Sequence, residues 1–167
     1  MNNYLERTLR LTALASLPAF LLTIAIPPHS ATASNFDNCA SSLLRNGVSA
    51  EKASTACADA LKPKDLSACV DKIQGQTAIA GEDALTACYR VRRPKELASC
   101  VVKIDSNTED AEIATLALDN CRRSLLPKRF ADCVVDLNSA IAELSGTEAI
   151  TTCISAEDFP RELFPES

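Results

Sequence analysis

The side chains with reactive potential are eight cysteines and a single histidine. The cysteines, Cys39, Cys57, Cys69, Cys88, Cys100, Cys121, Cys133 and Cys153, could serve as thiolates, redox pairs, soft-metal ligands or structural disulfides. None stands in a C-x-x-C motif, which argues for inert disulfides over redox or metal-thiolate chemistry. His29 lies in a leader-like segment, so the chain beyond residue 33 has no imidazole for a Ser-His-Asp or Cys-His nucleophile or for histidine-bound zinc. The adjacent acids Glu82-Asp83, Glu109-Asp110 and Glu157-Asp158 could act as acid and base in name. The first two pairs, however, open predicted helices, where acids answer the positive end of the dipole. With no Gly-rich phosphate loop and no calcium loop, the expectation is a protein without catalytic residues, cofactor or metal.

Composition narrows the field further. The 167 residues are 47% hydrophobic, enough to bury a core, but 4% aromatic with no tryptophan, which excludes a stacking platform or an aromatic-lined sugar cleft as the main device. A net charge of −5 argues against a nucleic-acid partner held by phosphate neutralisation.

Residues 1–33 read as a signal peptide. Arg7 and Arg10 precede an uncharged run over 11–26, and Ala31-Thr32-Ala33 fits the small-x-small rule, so cleavage is expected after Ala33. The run is short for a bilayer core and contains Pro18; no later run is long enough, so no transmembrane segment is expected after cleavage. The expected destination is periplasmic or secreted. There an even number of cysteines in a small domain forms a disulfide framework.

The elements that carry these cysteines repeat. Alternate cysteines recur every 30 to 33 residues, and Pro63, Pro94, Pro127 and Pro160 follow the same period, each trailed by Lys or Arg. P-K-D-L-S-A-C, P-K-E-L-A-S-C and P-K-R-F-A-D-C open successive units. In each unit a first segment carries a helical stripe: Phe36, Cys39, Ala40, Leu43; Leu66, Cys69, Val70, Ile73; Leu97, Cys100, Val101, Ile104; Phe130, Cys133, Val134, Leu137. A second segment has alanine four residues before its cysteine, at Ala53, Ala84, Ala117 and Ala149, a small-residue stripe on which another helix can lie close. Gly and Asn turns separate the two segments, and proline marks the seam between units. The expected fold is all-α: four tandem helix-turn-helix repeats at 34–65, 66–96, 97–129 and 130–162, a short α-solenoid or compact helical array with a tail at 163–167. Glu166 stands where a fifth unit would place cysteine, which reads as a polar end.

Two disulfide registers remain open on periodicity. Pairing across the seams joins Cys57–Cys69, Cys88–Cys100 and Cys121–Cys133, uses a constant spacing of 12, and strands Cys39 and Cys153. Pairing within units, 39–57, 69–88, 100–121 and 133–153, strands none and is preferred. Each such loop of about 20 residues stabilises by roughly 3 kcal/mol, replacing the large core this chain lacks.

The charges are also ordered. Lys62, Lys64, Arg90, Arg92, Arg93, Lys95, Arg122, Arg123, Lys128, Arg129 and Arg161 cluster at the seams, whereas Glu51, Glu82, Asp83, Asp105, Glu109, Asp110, Glu112, Glu143 and Glu148 gather at the turns. Dipole matching and solubility account for part of this. The sharper expectation is an anion-binding edge built on Arg90, Arg92, Arg93, Lys95, Arg122, Arg123, Lys128 and Arg129. In period and helical-hairpin unit the chain resembles the tetratricopeptide class, including a proline closing each repeat, while lacking its Trp, Gly and Tyr signature positions. The function expected is an exported, non-enzymatic scaffold binding a protein or envelope component. The alternatives are a carrier of small apolar ligands and a thiol-disulfide or metal-thiolate protein.

Overall fold

Pro63, Pro94 and Pro127 each stand in the first turn of a helix, where a missing N–H costs nothing and a fixed φ is already helical. The computed structural model describes residues 34–108 and 112–157, which belong to one compact unit. The expected signal segment over 1–33, Glu109-Asp110, Asp158, Pro160, Arg161 and the expected tail with Glu166 lie outside the described residues. Among the described residues there are eight α-helices and no strand: α1 (Asn35–Arg45), α2 (Ala50–Asp59), α3 (Pro63–Gln76), α4 (Gly81–Cys88), α5 (Pro94–Ser106), α6 (Ile113–Arg123), α7 (Pro127–Ala140) and α8 (Gly146–Glu157).

Local chemistry explains the helix starts. Ser34 and Ser49 cap α1 and α2 by accepting the backbone N–H of Asp37 and Lys52. Ser145 and Glu148 cap α8 reciprocally: the Glu148 N–H donates to the Ser145 hydroxyl while the Glu148 carboxylate accepts from the Ser145 N–H. The Ser145 hydroxyl, which donates to the same carboxylate at 2.7 Å, and the Ser145 N–H hold the Glu148 carboxyl below its ordinary pKa. Between α1 and α2 the chain reverses at Gly47, whose φ of +78° suits glycine.

The helices make two layers. The first helices of the repeats, α1, α3, α5 and α7, pack in sequence, each on the next. The second helices fold back on them, tied by Cys39–Cys57, Cys69–Cys88, Cys100–Cys121 and Cys133–Cys153, with Cα–Cα separations of 5.9 to 6.1 Å. The pairing is the register within units, and no cysteine is free. Buried residues of the first layer include Leu66, Val70, Ile73, Leu97, Val101, Ile104, Phe130 and Val134. Burying each of the larger ones is worth about 1.5–3 kcal/mol. Polar links repeat the register: Lys72 donates to Ser99 at 3.0 Å and Lys103 to Asp132 at 2.6 Å, each three residues past one cysteine and one before the next repeat's. The Asp132 carboxylate pushes the Lys103 ammonium pKa upward.

The small-residue stripe does what its spacing predicts, for Ala53, Ala84, Ala117 and Ala149 are all buried. Two details differ from the sequence expectation. Phe36, assigned to the apolar stripe, is 54% exposed, because its counterparts Leu66, Leu97 and Phe130 pack on a preceding repeat and α1 has none among the described residues. Gly81 opens α4 in place of a turn: a Cβ there would overlap the Asn46 carbonyl oxygen, so glycine is needed for the close approach of two repeats.

Candidate functional site

Helices that end in step bring their ends to one edge. The C-terminal ends of α2, α4 and α6 and the N-terminal starts of α3, α5 and α7 alternate along the seams, with the basic residues between them. Dipole matching suits Arg122 and Arg123, in the last turn of α6. It does not suit Lys64, Lys95, Lys128 and Arg129, which stand in first turns, at the positive ends of α3, α5 and α7. In α3 and α5 an acid in the same turn, Asp65 or Glu96, offsets the charge; α7 has none. The edge is therefore more positive than helix stability asks for.

The structure separates the eight expected anion-binding residues into three groups. Arg90, Arg92, Arg93, Arg122 and Arg123 line one hollow of about 300 Å³ at the junction of the second and third repeats, floored by Val91, Leu97, Cys121 and Pro127. Lys95 is engaged elsewhere, 2.6 Å from Asp65, whose carboxyl it holds below the ordinary value with help from Lys62 and Lys64. Lys128 and Arg129 are exposed and do not line the hollow. Of the five arginines in it, Arg90 lies 3.5 Å from Asp59 and Arg93 3.3 Å from Glu96, both exposed pairs of small worth. Arg92, Arg122 and Arg123 have no ion-pair partner among the described residues. A concave wall of one charge concentrates potential over its mouth.

Arg90 has a second peculiarity. It is the one non-glycine residue with positive φ among the described residues, at 59°, a left-handed conformation that costs an L side chain about 1–2 kcal/mol. Its guanidinium lies 5.0 Å from the centre of the Tyr89 ring, which helps to hold it at the rim.

Four residues that sequence spacing did not single out belong to this edge. Asp59 accepts from the Tyr89 hydroxyl at 2.7 Å across the first junction. Glu157, grouped from sequence with Asp158 as a formal acid pair, instead accepts from the Ser124 hydroxyl at 2.7 Å and the Leu125 N–H at 3.1 Å across the third. Leu61 and Leu125, each four residues past a cysteine, are 100% and 81% exposed on either side of the arginines. The repeat alignment carried the signal for three of them: Leu61, Leu125 and Glu157 share one position with Arg92 in successive units, whereas Asp59 shares its own with Arg90.

At the opposite end Glu82 meets Lys52 at 2.6 Å, and the Lys52 ammonium and the Ser49 N–H hold its carboxyl below the ordinary value. Glu82 is thus a structural acid between α2 and α4, and Asp83 beside it is exposed in the first turn of α4. A separate hollow of about 440 Å³ lies between the same helices, lined by Thr55, Ala56, Leu85 and Tyr89 among others. Among the described residues no three His, Cys, Asp or Glu side chains converge as a metal site, and no helix is long and apolar enough to cross a membrane. Set against protein-family models, curated proteins and solved structures, the chain matches none.

Proposed function

We propose that this is an exported, non-enzymatic scaffold that holds an anionic macromolecular partner, protein or envelope component, along its seam edge. Four disulfides on an all-helical frame are what an oxidising, extracellular or periplasmic setting permits and selects. They brace a surface against local unfolding without supplying chemistry. The observation that carries the reading is the hollow lined by five arginines, three of them unpaired among the described residues. Oxidised protein should bind anionic vesicles, acidic glycans or acidic peptides in a salt-sensitive way, and changing Arg92, Arg93, Arg122 and Arg123 together to Glu should abolish it. Absence of binding to any of these by the wild type at low ionic strength contradicts the reading and leaves the edge as solubility alone.

One observation favours a second reading, a carrier of small apolar ligands. The hollow between α2 and α4 offers Ala56, Leu85 and the Tyr89 ring at one side of the array. A fluorescent fatty acid that fails to bind at high micromolar concentration removes it. Thiol chemistry draws no support from the cysteines, all paired and seven of the eight fully buried.

A further inference from the structure

The three junctions between consecutive repeats differ at one point. At the first, Asp59 at the end of α2 reaches Tyr89 and Arg90 at the end of α4. At the third, Glu157 at the end of α8 reaches back to Ser124 and Leu125 at the end of α6. Both are bridged by a carboxylate of the chain itself. At the middle junction no carboxylate joins the ends of the second helices among the described residues; the bridge there runs between the starts of the first helices, Asp65 of α3 to Lys95 of α5 at 2.6 Å. Arg90, two residues past Cys88, occupies the place that Asp59 holds past Cys57, and it faces Arg122 and Arg123, which stand where Tyr89 and Arg90 stand one repeat earlier. Where the first junction sets an acid against a base, the middle one sets Arg90, Arg122 and Arg123 around one hollow, to which Arg92 and Arg93 add charge.

Resting on the scaffold reading above, we propose that the middle junction receives a carboxylate from a partner protein: an acidic side chain of an extended segment, seated among Arg90, Arg92, Arg122 and Arg123. Three features select a protein carboxylate. The ends of the second helices already accommodate an Asp at the first junction, two residues past its cysteine, and a Glu at the third, four residues past its own. The arginine forks match a carboxylate in a bidentate manner. The exposed Leu125 lines the arginine hollow and the exposed Leu61 lines the neighbouring hollow with Arg90 and Arg92, so a segment with apolar residues beside its acid meets apolar and cationic surface together. The partner supplies between the ends of α4 and α6 the carboxylate that the chain itself supplies between the second-helix ends of the other two junctions.

The test uses the oxidised protein and three probes: a labelled peptide with two glutamates between leucines, its glutamine counterpart, and vesicles of phosphatidylglycerol. The glutamate peptide should bind at least tenfold more tightly than the glutamine peptide. Arg122→Glu should weaken it at least tenfold while leaving the melting temperature unchanged or higher, because the new carboxylate sits among arginines and supplies the missing bridge. Lys128→Glu with Arg129→Glu, outside the hollow, should cost less than threefold. Arg92→Lys with Arg122→Lys, which keeps charge and loses the fork, should weaken the peptide several-fold. Equal binding of the two peptides, or equal loss from the two glutamate variants, overturns the proposal. Vesicle binding without peptide binding overturns it while sparing the anionic-edge reading; binding of none of the three overturns both.

Discussion

The outer junctions and the middle junction share a backbone and differ in charge. At the first and third, a carboxylate of one repeat satisfies hydroxyl or N–H donors of its neighbour at the ends of the second helices, and the first also keeps a hollow of about 690 Å³ that Arg90 and Arg92 help to line. At the middle one the places of Asp59, Tyr89 and Arg90 are taken by Arg90, Arg122 and Arg123 around a hollow of about 300 Å³, and the carboxylate bridge lies at the first helices instead, between Asp65 and Lys95. In a repeat protein each unit meets only its neighbours, so stability constrains every junction alike. A junction that forgoes the carboxylate between its second helices gives up that stabilisation, and Arg90 in the left-handed region gives up more. Such a departure from the repeat's own rule marks the place where the chain serves something other than its fold.

The frame that makes this comparison meaningful is the first thing to break. Replacing Cys100 and Cys121 by alanine removes the bridge beneath the middle junction and should lower unfolding free energy by about 3 kcal/mol, measured by denaturant unfolding. Replacing Gly81 by alanine forces α4 away from Asn46 and should cost about 2 kcal/mol by the same assay. A smaller effect sharpens the contrast between junctions. Glu157→Gln weakens the bridge to Ser124 and Leu125 and should cost about 1 kcal/mol. Arg123→Gln, at the junction whose second helices share no carboxylate among the described residues, should cost nothing measurable.

The stability should also depend on acid in a definite direction. Asp65, Glu82 and Glu148 all have folded-state pKa values below their ordinary ones of 3.8 to 4.5, through bonds to Lys95, to Lys52 and Ser49, and to Ser145. The folded state therefore binds these protons less readily than the unfolded state. Their contribution is fully present above the ordinary carboxylate range and is lost as pH falls through the lowered values. Melting temperature should be flat from pH 7 to about 5 and decline below about 4, more gently at high salt, since the lysine-paired sites are exposed.

Much of the architecture was legible in the sequence because it repeats. Cysteines and prolines recurring together set the helical hairpins, the buried alanines and the all-α class before any coordinates. The seam chemistry was only half legible. A list of basic residues placed eight side chains on one edge without distinguishing Lys95, spoken for by Asp65, from Arg122, which has no such partner among the described residues. That distinction depends on which repeat faces which across a junction, a three-dimensional relation between residues about 30 apart. Glu157 illustrates the same limit: beside Asp158 it looks like half of an acid pair, whereas its hydrogen bonds run 32 and 33 residues back along the chain. Gly81 escaped as well, because a glycine beside a turn looks like turn chemistry until the neighbouring backbone is in place.

The most direct test of the central claim is to locate the anion. Backbone amide NMR shifts of the oxidised protein should be followed while the glutamate-containing peptide is added. The account predicts shifts concentrated at residues 90–93 and 122–125, saturating together, with residues 49–52 and 82–86 at the opposite end unmoved. Shifts centred on the acidic end or the α2–α4 hollow, or spread evenly over every lysine and arginine of the edge, would contradict it.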